Sequence, residues 1–283
     1  MTEPSLLRKV KIHPLFWLVM GVGTVTGFFY EVLMVVAIVT VHELGHVAAA
    51  HWFGWRIRRI ELLPFGGVFE TDETGTKPFH EELCVVLAGP AQHIGLFFCS
   101  FLMVGTPLWS AADHAIFTYY NVALLCFNLL PLWPLDGSRC YLLLLEWWLP
   151  YRKALVVHLF TSAGFFISFV LMTAVFFTHQ LQLWAILIFL SIMWWERHKK
   201  IPYIFIRFLV GRLDKPPSAP IQFDIVDQNA TIRSLLYSLK KSKTHCYWIK
   251  PDRYKLEEKD LLDLSLREHD WNRELWKVFG PAF

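Results

Sequence analysis

Four long stretches without a single Asp, Glu, Lys or Arg constrain this chain more than any other feature. They are bracketed by Lys11 and Glu31, Glu82 and Asp113, Asp113 and Asp136, and Lys153 and Glu196. A helix that crosses the hydrocarbon core of a bilayer needs about 20 mostly apolar residues. The last stretch, residues 154–195, has room for two such crossings and a turn. A large soluble core would need polar faces at helical spacing, and these stretches lack them. Charged residues make up 18% of the chain, against about 25% in ordinary soluble domains. The net charge of +3 is too weak to point to nucleic acid. No cleavable signal peptide is expected, because the first apolar stretch runs into a second without a small-residue cleavage site. Four of the five cysteines (Cys84, Cys99, Cys126, Cys140) lie in or beside apolar segments. With no CxxC pair, all five read as reduced, small apolar residues.

The pattern predicts six transmembrane helices at about 12–30, 32–54, 83–105, 114–135, 154–178 and 180–196, the fourth running into a broken segment to 149. Lys and Arg in short connections set orientation. They occur before the first span (Arg8, Lys9, Lys11) and after the second (Arg56, Arg58, Arg59, Lys77). They occur again after the fourth (Arg139, Arg152, Lys153) and at the end of the sixth (Arg197, Lys199, Lys200). The connections near Tyr30-Glu31, Gly105–Ala115 and Thr178–Gln182 carry none. Six spans with both termini cytoplasmic satisfy this distribution. The expected division is a membrane domain over 1–200, a linker over 201–220 and a small cytoplasmic α/β domain over 221–283. Strands are expected at Phe223–Val226 and Cys246–Ile249. Helices are expected at Thr231–Lys241, with Thr231 as cap, and at Leu256–Leu266.

Ionisable residues inside a spanning helix are costly and imply partners. The second span contains His42-Glu43-Leu44-Gly45-His46. Positions i and i+4 of a helix stack on one face, so His42 and His46 can offer two imidazole nitrogens to one Zn²⁺. Glu43, rotated by about 100° from His42, can stand beside the metal as general base. Gly45 leaves room for a neighbouring backbone. A catalytic zinc takes three protein ligands, and Asp136 is the best third candidate. It follows Pro131 and Pro134 in Asn128-Leu129-Leu130-Pro131-Leu132-Trp133-Pro134-Leu135-Asp136-Gly137, where a regular helix cannot persist. Asp136 as a helix cap at the cytoplasmic surface is the competing reading. His46 precedes Arg56 by ten residues, which is about 15 Å of helix, and Asp136 follows a span returning toward the same interface. Both belong to the cytoplasmic half of the bilayer. The stretch Ile60–Glu70 is apolar, Gly-rich and β-prone. Its residues Gly66, Gly67, Val68 and Phe69 are candidates for an edge strand that binds extended substrate, the alternative being an ordinary connection. His51 reads as structural, His93 and His158 as packing or pore polarity, and Arg197–Lys200 as a membrane-surface anchor. Trp147, Trp148, Trp194 and Trp195 read as interface belts.

The HExxH segment, Gly89-Pro90 and the Asn-x-x-Pro-x-x-Pro-Leu-Asp-Gly segment beginning at Asn128 together resemble the site-2 protease family of intramembrane zinc metalloproteases. Within it the chain is similar to a six-span sporulation subfamily whose C-terminal domain resembles a cystathionine-β-synthase (CBS) module. Leu256–Leu262 looks like the end of a CBS motif, with Lys255 where that motif has Gly. The resemblance implies that His42, His46 and Asp136 ligate Zn²⁺ and that Glu43 is the general base. It implies that Asn128 holds substrate or the developing oxyanion, and that ATP is associated with the CBS-like domain. The implied substrate is the pro-form of sigma factor K. The implied inhibitory partners are stage IV sporulation protein FA and bypass-of-forespore protein A, in the mother-cell-derived membrane around the forespore. A homo-oligomer stays open. Two rival readings also stay open: a membrane zinc-binding transporter or sensor with a CBS-like tail, which gives Glu43 no necessary role, and an inactive zinc-retaining scaffold.

Overall fold

The computed structural model describes residues 10–12, 14–63, 66–71, 75–214, 220–250, 254–267 and 271–279. In chain order the elements are β1 (Val10–Ile12), α1 (Pro14–Val25), α2 (Phe29–Trp52), β2 (Ile57–Leu63), β3 (Gly66–Thr71), α3 (Phe79–Met103), α4 (Ala111–Asn128), α5 (Asp136–Trp148), α6 (Tyr151–Phe176), α7 (Leu181–Asp214), β4 (Ile221–Asp227), α8 (Ile232–Ser238), β5 (Thr244–Lys250), β6 (Tyr254–Glu257), α9 (Glu258–Arg267) and α10 (Leu275–Phe279). Two compact units emerge. The first gathers the described residues of 1–74, 80–140 and 179–188, and the second those of 75–79, 141–178 and 189–283.

In the first unit α2 packs on α4 and lies against β3. Met34 and Ile38 of α2 meet Phe117 of α4 in one buried cluster, while Val47 and Ala50 meet Trp55, Ile57 and Val85 in another. Ser110 starts α4 through a reciprocal capping box: its hydroxyl accepts from the Asp113 N–H, and the Asp113 carboxylate accepts from the Ser110 N–H. The sheet has the order β1-β2-β3, with β1 parallel and β3 antiparallel to β2. The contribution of β1 escaped the sequence reading, since three residues carry no periodic pattern of their own.

In the second unit α6 and α7 share a core with the C-terminal module. Tyr151, Leu155, Phe205, Phe208 and Leu209 are buried together with Leu235, Leu236, Tyr247 and Leu261. The module is a β4-α8-β5-β6-α9 run whose sheet has the order β4-β5-β6, with β4 and β5 parallel and β6 antiparallel. Thr231 caps α8 as expected, its side chain accepting from the Ser234 N–H. The expected helix at Leu256 begins two residues later. Leu256 is instead an inward residue of β6, paired with Tyr247.

Among the described residues, three helices, α2, α3 and α6, are long and apolar enough to cross a membrane. Their outward faces are apolar as well: Ile94, Phe98, Phe101 and Leu102 of α3 and Ile167, Leu171, Val175 and Phe176 of α6 are exposed, as lipid-facing residues must be. Of the other expected spans, the first divides into α1, of 12 residues, and the beginning of α2 around a turn at Gly27. The stretch 201–214, expected to be linker, continues α7. Ile201, Ile204, Phe205, Phe208 and Leu209 recur at helical spacing and are all buried. That apolar stripe outweighs the polar run at Arg197–Lys200 that suggested a boundary.

Candidate metal centre and active site

His42 to His46 lie inside the uninterrupted helix α2, and His42, Glu43 and His46 are all buried while Leu44 faces outward. One turn of separation brings the two imidazoles together, with His42 Nε2 3.2 Å from His46 Nε2. Asp136 completes a triangle: its Oδ2 is 3.0 Å from His42 Nε2 and 3.1 Å from His46 Nε2. The break between α4 and α5 delivers it. Pro131 and Pro134 have no N–H for a helix, so the chain leaves α4 after Asn128 and resumes a helix only at Asp136. Asp136 thus stands at a helix start, as a cap would, but its carboxylate is buried and turned to the histidines.

Among the described residues, His42, His46 and Asp136 form the group of metal-ligating side chains close enough to share an ion. A tetrahedral zinc with bonds of about 2.0–2.1 Å holds its ligand atoms about 3.3 Å apart. The three observed separations lie just inside that spacing. The proton pattern agrees. His46 Nδ1 is 2.8 Å from the Val85 carbonyl oxygen, which can only accept, so Nδ1 carries the proton and Nε2 presents a lone pair. In the neutral ring that lone pair and the Asp136 carboxylate oxygen are two electron-pair donors 3.1 Å apart, which a shared cation would satisfy. The residues therefore fit Zn²⁺.

Two glycines let α2 and α3 close on this centre. A Cβ on Gly45 would lie 2.5 Å from the Ala88 carbonyl oxygen, the close backbone approach expected at that position. A Cβ on Gly89 would collide with His46 Nε2 and lie 2.9 Å from His42 Cε1. Gly89 therefore gives the imidazoles a wall of bare backbone. Asn128 is buried in the last turn of α4, where the break begins. Gly66, Gly67, Val68 and Phe69 fall in β3, opposite Leu63, Leu62, Glu61 and Ile60 of β2. The other edge of β3 has no strand partner among the described residues. His51 is exposed in the last turn of α2, and His158 belongs to the second unit.

His93 departs from its sequence reading. Rather than general packing, it reaches the centre itself, its Nε2 3.1 Å from His42 Nδ1. Its own Nδ1 is 2.8 Å from Asn121 Oδ1, and Asn121 Nδ2 donates to the His93 carbonyl oxygen at 2.8 Å. A signal was present: a third histidine in an apolar helix, one turn after Gly89, demands a polar partner.

A buried HExxH pair facing a carboxylate, carried on apolar helices, defines the class of membrane zinc metalloproteases, and comparison with known proteins gives the family. Residues 30–114 match the family described as Peptidase family M50. Stage IV sporulation protein FB of Bacillus subtilis (strain 168) is 38% identical over 208 residues, which are 74% of this chain and 72% of that protein. A zinc metalloprotease of Methanocaldococcus jannaschii is 32% identical over 120 residues, 40% of this chain and 34% of that protein. The solved structure of a site-2 protease from Methanocaldococcus jannaschii matches with a TM-score of 0.52 and 25% identity, covering 66% of this chain and 89% of that one. The chain belongs to peptidase family M50, the site-2 proteases, and is a zinc metalloprotease. Membership does not favour the transporter or sensor reading, which has no use for Glu43.

Proposed function

We propose that this protein hydrolyses a peptide bond within or beside the membrane, near its cytoplasmic face, and that its substrate is the pro-form of a sporulation sigma factor. The observation that carries the catalytic part is the meeting of His42, His46 and Asp136 beside the buried Glu43. In this reading the three side chains hold zinc. The metal, when bound, lowers the pKa of a water toward about 7 and polarises the scissile carbonyl. Glu43 takes the proton from the attacking water and returns it to the leaving amine. Asn128 holds the substrate or the oxyanion. The edge of β3 that has no strand partner among the described residues, at Gly66, Gly67, Val68 and Phe69, receives the substrate as an added strand. A peptide bond inside a helix is shielded by its own hydrogen bonds, so extension onto an edge is a condition of cleavage. Photo-crosslinkers placed at Val68 and Phe69 should capture the region around the cleavage site; labelling of remote substrate segments alone would remove β3 from the account.

The substrate is the one the sequence resemblance implies, and the similarity to stage IV sporulation protein FB supports that reading. Co-expression with the pro-form of sigma factor K should yield the shortened product. Persistence of the intact pro-form beside a zinc-loaded enzyme would exclude that substrate without touching the peptidase assignment. Stage IV sporulation protein FA and bypass-of-forespore protein A are the inhibitory membrane partners that the sequence resemblance implies, and adding both should suppress cleavage. The topology proposed is six crossings with both termini cytoplasmic, supported by the one-sided Lys and Arg distribution. Residues 1–200 form the protease portion, and 221–283 form a CBS-like cytoplasmic regulatory module. The β4-α8-β5-β6-α9 order supports the CBS-like reading, and ATP is the ligand the resemblance attaches to it.

A further inference from the structure

We infer that His93 and Asn121 are positioning residues that set the tautomer and ring orientation of His42, so that its Nε2 lone pair faces Asp136 and the metal. The inference rests on the proposal that His42, His46 and Asp136 hold zinc, and it adds a second layer to that site.

Asn121 Nδ2 is 2.8 Å from the His93 carbonyl oxygen, which only accepts, so this end of the amide is the NH₂ group. The other end, Oδ1, therefore accepts from His93 Nδ1 at 2.8 Å. A neutral imidazole has one N–H, so the proton on Nδ1 leaves His93 Nε2 as an acceptor. Its neighbour at 3.1 Å is His42 Nδ1, which must then carry the proton of the His42 ring. His42 Nε2 is left with a lone pair, and that atom lies 3.0 Å from Asp136 Oδ2 and 3.2 Å from His46 Nε2. Each step leaves only one sense for the next hydrogen bond. All three side chains are almost fully buried: His42 is 3%, His93 2% and Asn121 2% exposed. Water therefore does not compete for the chain of bonds, and burial strengthens it. His46 reaches the same state by a shorter route through the Val85 carbonyl. One ligand is thus oriented by backbone and the other by a two-residue side-chain relay contributed by α3 and α4. Outer partners of this kind tune a metal-ligating histidine, and their loss costs about 10–100-fold in metal affinity.

The test uses full-length protein in detergent, with zinc affinity measured by competition against a chromophoric chelator and the visible spectrum recorded after Co²⁺ substitution. His93→Phe, which removes the acceptor, is expected to weaken zinc by about 10–100-fold and to shift the Co²⁺ bands. His93→Gln keeps an acceptor oxygen and is expected to recover most of the affinity. Asn121→Leu, one step further out, is expected to fall between wild type and His93→Phe. Wild-type affinity and an unchanged Co²⁺ spectrum in both His93→Phe and Asn121→Leu would overturn the inference. So would equal loss in His93→Phe and His93→Gln, because a purely space-filling role gives the amide no advantage. Asp136→Asn in parallel separates the two layers. If it leaves zinc affinity unchanged, the ligand set itself is wrong. If it loses zinc while His93→Phe does not, only the positioning role fails.

Discussion

At the scale of the residue, the centre depends on one carboxylate oxygen serving two imidazoles. Asp136 Oδ2 is within 3.1 Å of both Nε2 atoms, so Asp136→Asn replaces a carboxylate by a neutral amide of nearly the same volume. The expected outcome is purified protein of normal stability whose zinc content falls well below one per chain, by atomic absorption after dialysis. Full zinc retention would take Asp136 out of the ligand set. The juxtaposition of these residues was legible because two independent rules pointed to it. The i, i+4 spacing of His42 and His46 fixes a shared face, and the prolines before Asp136 remove the regular helix that would otherwise carry it past the site. His93 was not legible in the same way. Its partners lie 51 and 28 residues away in sequence, at His42 and Asn121, and only tertiary packing brings them together.

At the scale of the element, the decisive contact is α2 against α3. Gly45 sits under the Ala88 carbonyl, so Gly45→Val must push the helices apart or strain both. Overpacking of this kind costs about 1–3 kcal/mol, and here it also moves Gly89, His93 and Val85 relative to the histidines. The expected result is a lower unfolding temperature together with reduced zinc affinity. A variant that loses stability but binds zinc like wild type would show that the contact supports the fold alone. Sequence patterns served unevenly at this scale. α2, α3 and α6 were visible as apolar runs of bilayer length. The end of α7 is not legible at Lys200, because four polar residues there mask a buried stripe from Ile201 to Leu209 whose value depends on what it packs against. Leu256 reads equally as helix or strand, because an inward strand residue and an inward helix residue look alike over four positions.

At the scale of the whole molecule, the C-terminal module is tied to the end of α7 by a buried ion pair as well as by the apolar core they share. Arg212 donates to Glu258 through Nε and Nη2, at 2.5 and 2.9 Å, and to the carbonyl oxygens of Lys240 and Lys243 at 2.8 and 2.6 Å. Glu258 also accepts from the His245 N–H at 2.7 Å. Removing one partner strands a buried charge, so Arg212→Met should destabilise the second unit by about 3–5 kcal/mol, read as an early unfolding transition. Adding Glu258→Leu should restore much of it; no recovery in the double variant would mean that the carbonyl contacts dominate. The module also carries a carboxylate whose pKa is held down. Burial alone would raise the pKa of Asp224, but hydrogen bonds from Gln222 and His245 and nearby positive charge outweigh it and hold the carboxyl below its usual range. A depressed carboxylate pKa stabilises the fold above the unfolded value and loses that contribution as pH falls below about 4. The stability gap between wild type and Asp224→Asn should therefore be constant near neutrality and close in acid, in urea titrations followed by tryptophan fluorescence. A gap that widens in acid would contradict the assignment. The central claim, that this zinc protease works through Glu43 beside His42, His46 and Asp136, is tested most directly by full-length protein in bilayers. Wild type and Glu43→Gln are compared for zinc content and for cleavage of the candidate pro-sigma substrate. Equal zinc in both and a loss of cleavage rate of about 10²–10⁴-fold in Glu43→Gln are expected; wild-type turnover by that variant, with its zinc in place, would exclude Glu43 as the general base.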